Sequence, residues 1–152
     1  ADRPVVKAEF GEPHADRAAL DDYLEATGAG LMWLAARAVG AAEVAEEPVR
    51  AYGWAAAVGS YLRALPDLEA RGRQPLPEGT LPIDLARAGL ERLAAARKGR
   101  NAVPKDVAPA LLAGWQAEPL LKQVLAAPSS PPQLSEFKRR GKLLWQAATG
   151  RW

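Results

Sequence analysis

Arg63, Arg71 and Arg73 are candidates for holding a phosphate or diphosphate, because forked guanidinium groups match its oxygens. The alternative use of Arg71 and Arg73 is local, in pairs with Glu69, Asp67 or helix carbonyls. Asp21, Asp22 and Glu25 gather three carboxylates within five positions. Their place at the start of a predicted helix favours a solvated turn that complements the helix dipole over a magnesium site. His14 is the one histidine, in a Pro/Gly-containing segment, and reads as a surface residue. The absence of cysteine excludes disulfides, Cys-ligated zinc and a thiol nucleophile. Neither a catalytic residue nor a metal ligand set is assigned from the residues themselves.

The elements that must position these groups read as helices. The chain is rich in alanine, with Leu, Glu and Arg, while Val, Ile and Thr are sparse, which favours helix over strand. Residues 1–14 have no apolar period and read as an extended lead-in; residues 15–152 read as a single α-helical domain. Leu20, Leu24, Thr27, Leu31, Leu34 and Ala38 recur at steps of three or four, one face of a helix ending near Gly40. Gly28 and Gly30 sit inside it and point to a closely packed backbone or to room for a ligand. Pro48 opens a second helix, carrying Val49, Tyr52, Ala56, Gly59 and Leu62 or Arg63 on its inner face, and the run from Pro66 to Gly79 ends it. Further helices follow from Thr80 to Gly99, from Pro104 with a kink at Pro119, and from Leu134 to Ala148. The expected fold class is an all-α bundle of about five helices.

Two stretches carry a family resemblance. Tyr23–Gly40 (Y-L-E-A-T-G-A-G-L-M-W-L-A-A-R-A-V-G) and Ala51–Pro77, ending in R-G-R-Q-P-L-P, resemble the squalene/phytoene synthases. That family has a small-residue glycine step, a helix ending in Q-L-x-N-I-L-R-D-x-x-x-D, and a following R-G-R-x-Y-L-P. The resemblance implies an isoprenoid-synthase-like bundle with a cavity for prenyl diphosphates, in which aspartate-rich motifs hold Mg²⁺ against the leaving diphosphate. Aligned on Arg71-Gly72-Arg73, the family glutamine falls on Ala57, the asparagine on Ser60 and the arginine on Arg63. The two metal aspartates fall on Ala64 and Leu68, neither of which can ligate magnesium. The other aspartate motif belongs to the family's N-terminal half, so the chain corresponds to the C-terminal half: a fragment, a processed product or a naturally short paralogue.

The resemblance therefore implies a non-catalytic bacterial protein acting as a binding or assembly factor, as in the family branch that assembles respiratory complex I; the N-terminus lacks the layout of a signal peptide, so the expected location is cytoplasmic. The alternatives are one half of a head-to-head prenyltransferase, which alone would need Mg²⁺ as cofactor, and an isoprenoid- or lipid-binding module. Ligand-binding expectations fall on Arg63, Arg71, Arg73, Gly28, Gly30 and Tyr52, with a prenyl diphosphate or lipid as ligand. A half-bundle also implies an exposed apolar face around Leu31, Tyr52 and Ala56, and hence a protein partner or self-association. A net charge of +2 gives no whole-chain attraction to nucleic acid. No run of 18 apolar residues is free of charge, so no spanning helix is expected. Residues 133–152 hold Lys138, Arg139, Arg140, Lys142 and Arg151 against Glu136 alone. They read as a terminal helix docked through Leu134, Phe137, Leu144 and Trp145, with Gly141 closing the seam; the rival use is peripheral contact with the inner face of a membrane.

Overall fold

A computed structural model of the chain describes residues 13–152. Most of the extended lead-in expected over residues 1–14 lies outside the described residues; Pro13 and His14 are non-helical. The fold is all-helical, with no strand among the described residues. Helix α1, Arg17–Leu24, starts at Asp16, whose carboxylate accepts from the Ala19 N–H at 2.8 Å. It runs through a π-helical turn, Glu25–Gly30, into α2, Leu31–Ala38. After a short 3₁₀ turn (Glu43–Ala45) come α3 (Glu46–Ala70), α4 (Pro82–Lys98), a 3₁₀ stretch (Lys105–Gly114), α5 (Ala117–Ala126) and α6 (Glu136–Thr149).

Helix α3 is the axis of the bundle. Val49, Tyr52, Trp54, Ala55, Val58, Leu62 and Leu65 are buried on almost every side of it, the pattern of a helix surrounded by others. It packs against α4, α5 and the π turn. The helix does not end at Pro66 as expected but continues to Ala70. Proline there removes one backbone bond, and the apolar series Leu62, Leu65, Leu68 carries the packing past it. The kink expected at Pro119 falls earlier, at Gly114–Gln116, where the 3₁₀ stretch gives way to α5. Pro119 is the third residue of α5, where a backbone N–H has no partner within the helix. Pro48 likewise sits in the first turn of α3, two residues after its start.

The first helix departs most from its expected phase. Leu20 and Leu24 are buried as expected, but beyond the π turn the buried residues are Met32, Trp33 and Ala36. Leu31 and Leu34 are 59% and 65% exposed. A π turn inserts one residue into the helix and so rotates everything after it by about 100°. The exposed face around Leu31, Tyr52 and Ala56 is corrected in the same way: Leu31 is exposed and Ala56 half-buried, but Tyr52 is in the core.

What makes the turn fit is a backbone crossing. A Cβ on Gly28 would stand 2.8 Å from the Gly53 carbonyl oxygen, and one on Gly53 would stand 2.9 Å from the Gly28 oxygen and 2.8 Å from the Met32 Cβ. Neither position has room for a side chain. Glu25, at the head of the turn, pairs with Arg92 of α4 at 3.1 Å, and Arg92 lies 4.2 Å over the ring of the buried Trp54.

The C-terminal helix docks, but not by the expected seam. Phe137 is 90% exposed, Leu144 69% and Trp145 52%, and Gly141 faces open space. The anchors are Gln146 and Trp152. The Gln146 amide donates to the Leu111 carbonyl at 3.3 Å and to the Tyr52 hydroxyl at 3.4 Å. The Trp152 ring meets that of Tyr52 edge-on at 4.9 Å. An amide and an indole that complete a buried cluster turn the aliphatic side of the helix outward.

Gly53→Ala should lower the stability to chemical unfolding by about 1–3 kcal/mol, the cost of overpacking a tight contact. Gly141→Ala, on an open helix surface, should raise it by up to ~1 kcal/mol. Urea melts of the two variants check both signs.

Candidate functional site

The crossing holds the π turn and α2 against α3 at one level and leaves a groove between them at another. Its volume is about 580 Å³, within the range of small-molecule sites. One wall is Tyr23, Thr27, Gly28, Leu31, Met32 and Ala35; the other is Gly53, Ala56, Ala57, Ser60, Tyr61, Ala64 and Leu68 of α3, and Ala110 and Ala113 of the 3₁₀ stretch complete it. The lining is apolar apart from Thr27, Ser60 and the two tyrosine hydroxyls. Alanines and glycines, by failing to fill the space, make the groove.

Tyr23 and Tyr61 meet edge-to-face at 6.2 Å, and His14 packs its ring on both, at 5.0 Å from Tyr23 and 6.2 Å from Tyr61. His14 is therefore half-buried rather than on the surface, and that burial holds its pKa below the ordinary histidine value. Burial also pushes Tyr61 up to about 12, so its hydroxyl stays protonated, and it donates to the Pro75 carbonyl. This tie fixes the loop that follows α3 against the groove wall.

The expected site residues separate. Gly28 lines the groove; Gly30, two residues on, does not. Ala57, Ser60, Ala64 and Leu68, the positions aligned with the family's polar and metal-binding residues, all face into it. The groove lining holds no carboxylate: alanine and leucine stand at the two positions that the resemblance aligns with metal-binding aspartates, and hydroxyl groups alone do not fit a magnesium site. Among the described residues no group of three or more His, Cys, Asp or Glu side chains is placed to hold a metal ion. Of the acidic cluster, Asp21 pairs with Arg17 at 2.9 Å and Glu25 with Arg92, while Asp22 is exposed. Arg63, Arg71 and Arg73 are exposed at the C-terminal end of α3 and just beyond it. None takes part in the ion pairs among the described residues, so the alternative use of Arg71 and Arg73, in pairs with Glu69 or Asp67, is not formed.

Tyr52 lies elsewhere, in a second cavity of about 410 Å³ shared with Arg97, Arg100, Glu118, Lys142, Gln146 and Trp152. Sequence reasoning missed this polar node because its members come from α3, α4, α5 and α6 and from Arg100 and Trp152 outside those helices. Glu118 is its centre, taking Arg97 and Lys122 at 2.7 Å each and Lys142 at 3.7 Å. The Arg97 hydrogen bond, more than any other contact, holds the Glu118 carboxyl down at about 2. Burial draws Arg100 below its usual value, and the neighbouring charges of Arg97 and Arg151 add to the effect.

No protein-family model, curated protein or solved structure matches this chain. The likeness to squalene/phytoene synthases thus rests on the motif residues quoted above. Among the described residues no helix is long and apolar enough to cross a membrane.

The Glu118 node has a pH signature. Its folded pKa of about 2 lies below the ordinary 4.5. Its contribution to stability is therefore present above pH 4.5 and lost as pH falls from there towards 2. Thermal melts across this window should show a falling midpoint, and Glu118→Gln should flatten that part of the curve.

Proposed function

We propose that this chain is a non-catalytic protein of the squalene/phytoene synthase type that takes an apolar chain, an isoprenoid first of all, into the groove between its π turn and α3, and acts as a binding or assembly factor. The observation that carries this reading is the position of Ala64 and Leu68. They stand where the resemblance requires magnesium-binding aspartates, and both line the groove. A cleft with that placement but apolar walls has the shape for a chain and lacks the carboxylates that would hold magnesium against a leaving diphosphate.

The glycine step supports the same reading, since Gly28 and Gly53 line the cleft as well as the crossing. Arg63, Arg71 and Arg73 suit a phosphate-bearing headgroup at the end of α3. An assembly role draws support from a separate observation. Leu31 at the groove edge is followed by exposed Leu34, Val39 and Val44, a set of apolar side chains suited to a protein partner. The half-synthase alternative would need every metal-binding carboxylate to come from outside this groove.

Calorimetry with farnesol and with farnesyl diphosphate tests the reading. Both should bind with micromolar affinity, unchanged by magnesium or by chelator. Ala64→Trp, its fold checked by circular dichroism, should weaken both at least tenfold by filling the cleft. Affinity only for the diphosphate, and only with magnesium, would restore the enzyme reading; no affinity for either would remove the ligand altogether.

A further inference from the structure

The outward side of α6 is built like a membrane-surface helix, and this stands independently of what fills the groove. At 100° per residue, Leu144, Phe137, Ala148, Gly141 and Trp145 fall in one sector of roughly 100°. Arg140 borders that sector on one side and Lys138 on the other. Lys142 and Gln146 lie opposite, on the side that meets the body, where Lys142 reaches Glu118 at 3.7 Å and Gln146 is 4% exposed. Docking through Gln146 and Trp152 therefore fixes which side looks out. It is the apolar one, with Phe137 90% and Leu144 69% exposed.

We infer that α6 lies on an anionic lipid surface, its Phe137–Leu144–Trp145 sector dipped into the headgroup boundary and Lys138 and Arg140 meeting lipid phosphates on either side. Charge complementarity selects this occupant. The segment from Gln133 to Trp152 carries five basic residues against the single carboxylate of Glu136, and Glu136 is engaged within the helix by Arg139 at 2.7 Å and Arg140 at 3.8 Å. An apolar strip edged by cations on both sides, with tryptophan at its border, is the arrangement that favours an anionic interface. At 14 residues the helix is about 21 Å long, suited to lying along a surface rather than crossing it. Gly141 and Ala148, between the large side chains, leave the strip flat enough to lie along that surface.

The test uses the full chain with vesicles of phosphatidylcholine alone and with 30 mol% phosphatidylglycerol. Co-sedimentation should show at least tenfold stronger binding to the anionic vesicles, weakening as salt rises. The triple variant Phe137→Ala, Leu144→Ala, Trp145→Ala should lose at least tenfold of that binding while circular dichroism shows the helical fold retained, since Phe137 and Leu144 are exposed and Trp145 half-exposed. Lys138→Gln with Arg140→Gln should lose roughly tenfold or more. Phe137→Ser alone, a single change at the most exposed of these residues, should also weaken binding several-fold. Equal binding to both vesicle types, or full anionic binding by the triple variant, would overturn the proposal. So would a dimer seen by sedimentation that the triple variant dissolves while neither protein binds vesicles, since the strip would then belong to a second copy of the chain.

Discussion

Two glycines face each other where the π turn crosses α3, and most of the fold follows from that contact. Gly28 and Gly53 each place a carbonyl oxygen within 3 Å of where the other's side chain would begin. With no side chain between them the two backbones touch, and Met32, Trp33 and Ala36 reach the core on one side of the contact. On the other side, the small residues Ala56, Ala57 and Ala64 leave the space between the walls unfilled. Packing and cavity are thus two results of one constraint. Enlarging either glycine would push the turn off α3 and alter both together.

A second contact set governs the far side of α3. Tyr52 is buried there beneath Trp152, and its hydroxyl and the Leu111 carbonyl share the Gln146 amide. Burial raises the Tyr52 pKa, so the phenol stays neutral and the cluster carries no buried charge. Glu118, held ionised by Arg97, adds Lys142 of α6 to the same region. The terminal helix is thereby held by polar and aromatic groups along one narrow line. Its aliphatic residues are left to the outside, an arrangement that core packing alone does not explain.

Much of this architecture was legible in the residues, and the failures have physical causes. Composition and apolar period gave the helical class, the span of α4 nearly to the residue, and the boundary at Gly40 within two positions. Counting at a constant period of 3.6 could not anticipate the π turn, so Leu31 and Leu34 were assigned to a core face they do not occupy; the paired glycines were the available signal. Phe137, Leu144 and Trp145 keep a regular helical spacing, but spacing does not say whether such a face turns inward. Gln146, a polar residue, is the one that does. For the site, of the residues expected to bind a ligand only Gly28 lines the groove; Ala57, Ser60, Ala64 and Leu68, which the alignment on Arg71-Gly72-Arg73 marked only as lost polar and metal positions, line it too. Tyr52 was placed on the wrong side of α3. The Glu118 node draws on residues far apart in the chain, which no local pattern brings together.

The central claim, that the groove between the π turn and α3 is the binding surface, is most directly tested by amide NMR of the labelled chain titrated with a soluble short-chain isoprenol. The largest shifts should fall on Gly28, Ala57, Ser60, Ala64 and Leu68, with Arg97, Arg100 and Trp152 unmoved. Shifts confined to the cavity around Arg97 and Arg100, or no shift at saturating ligand, would contradict it.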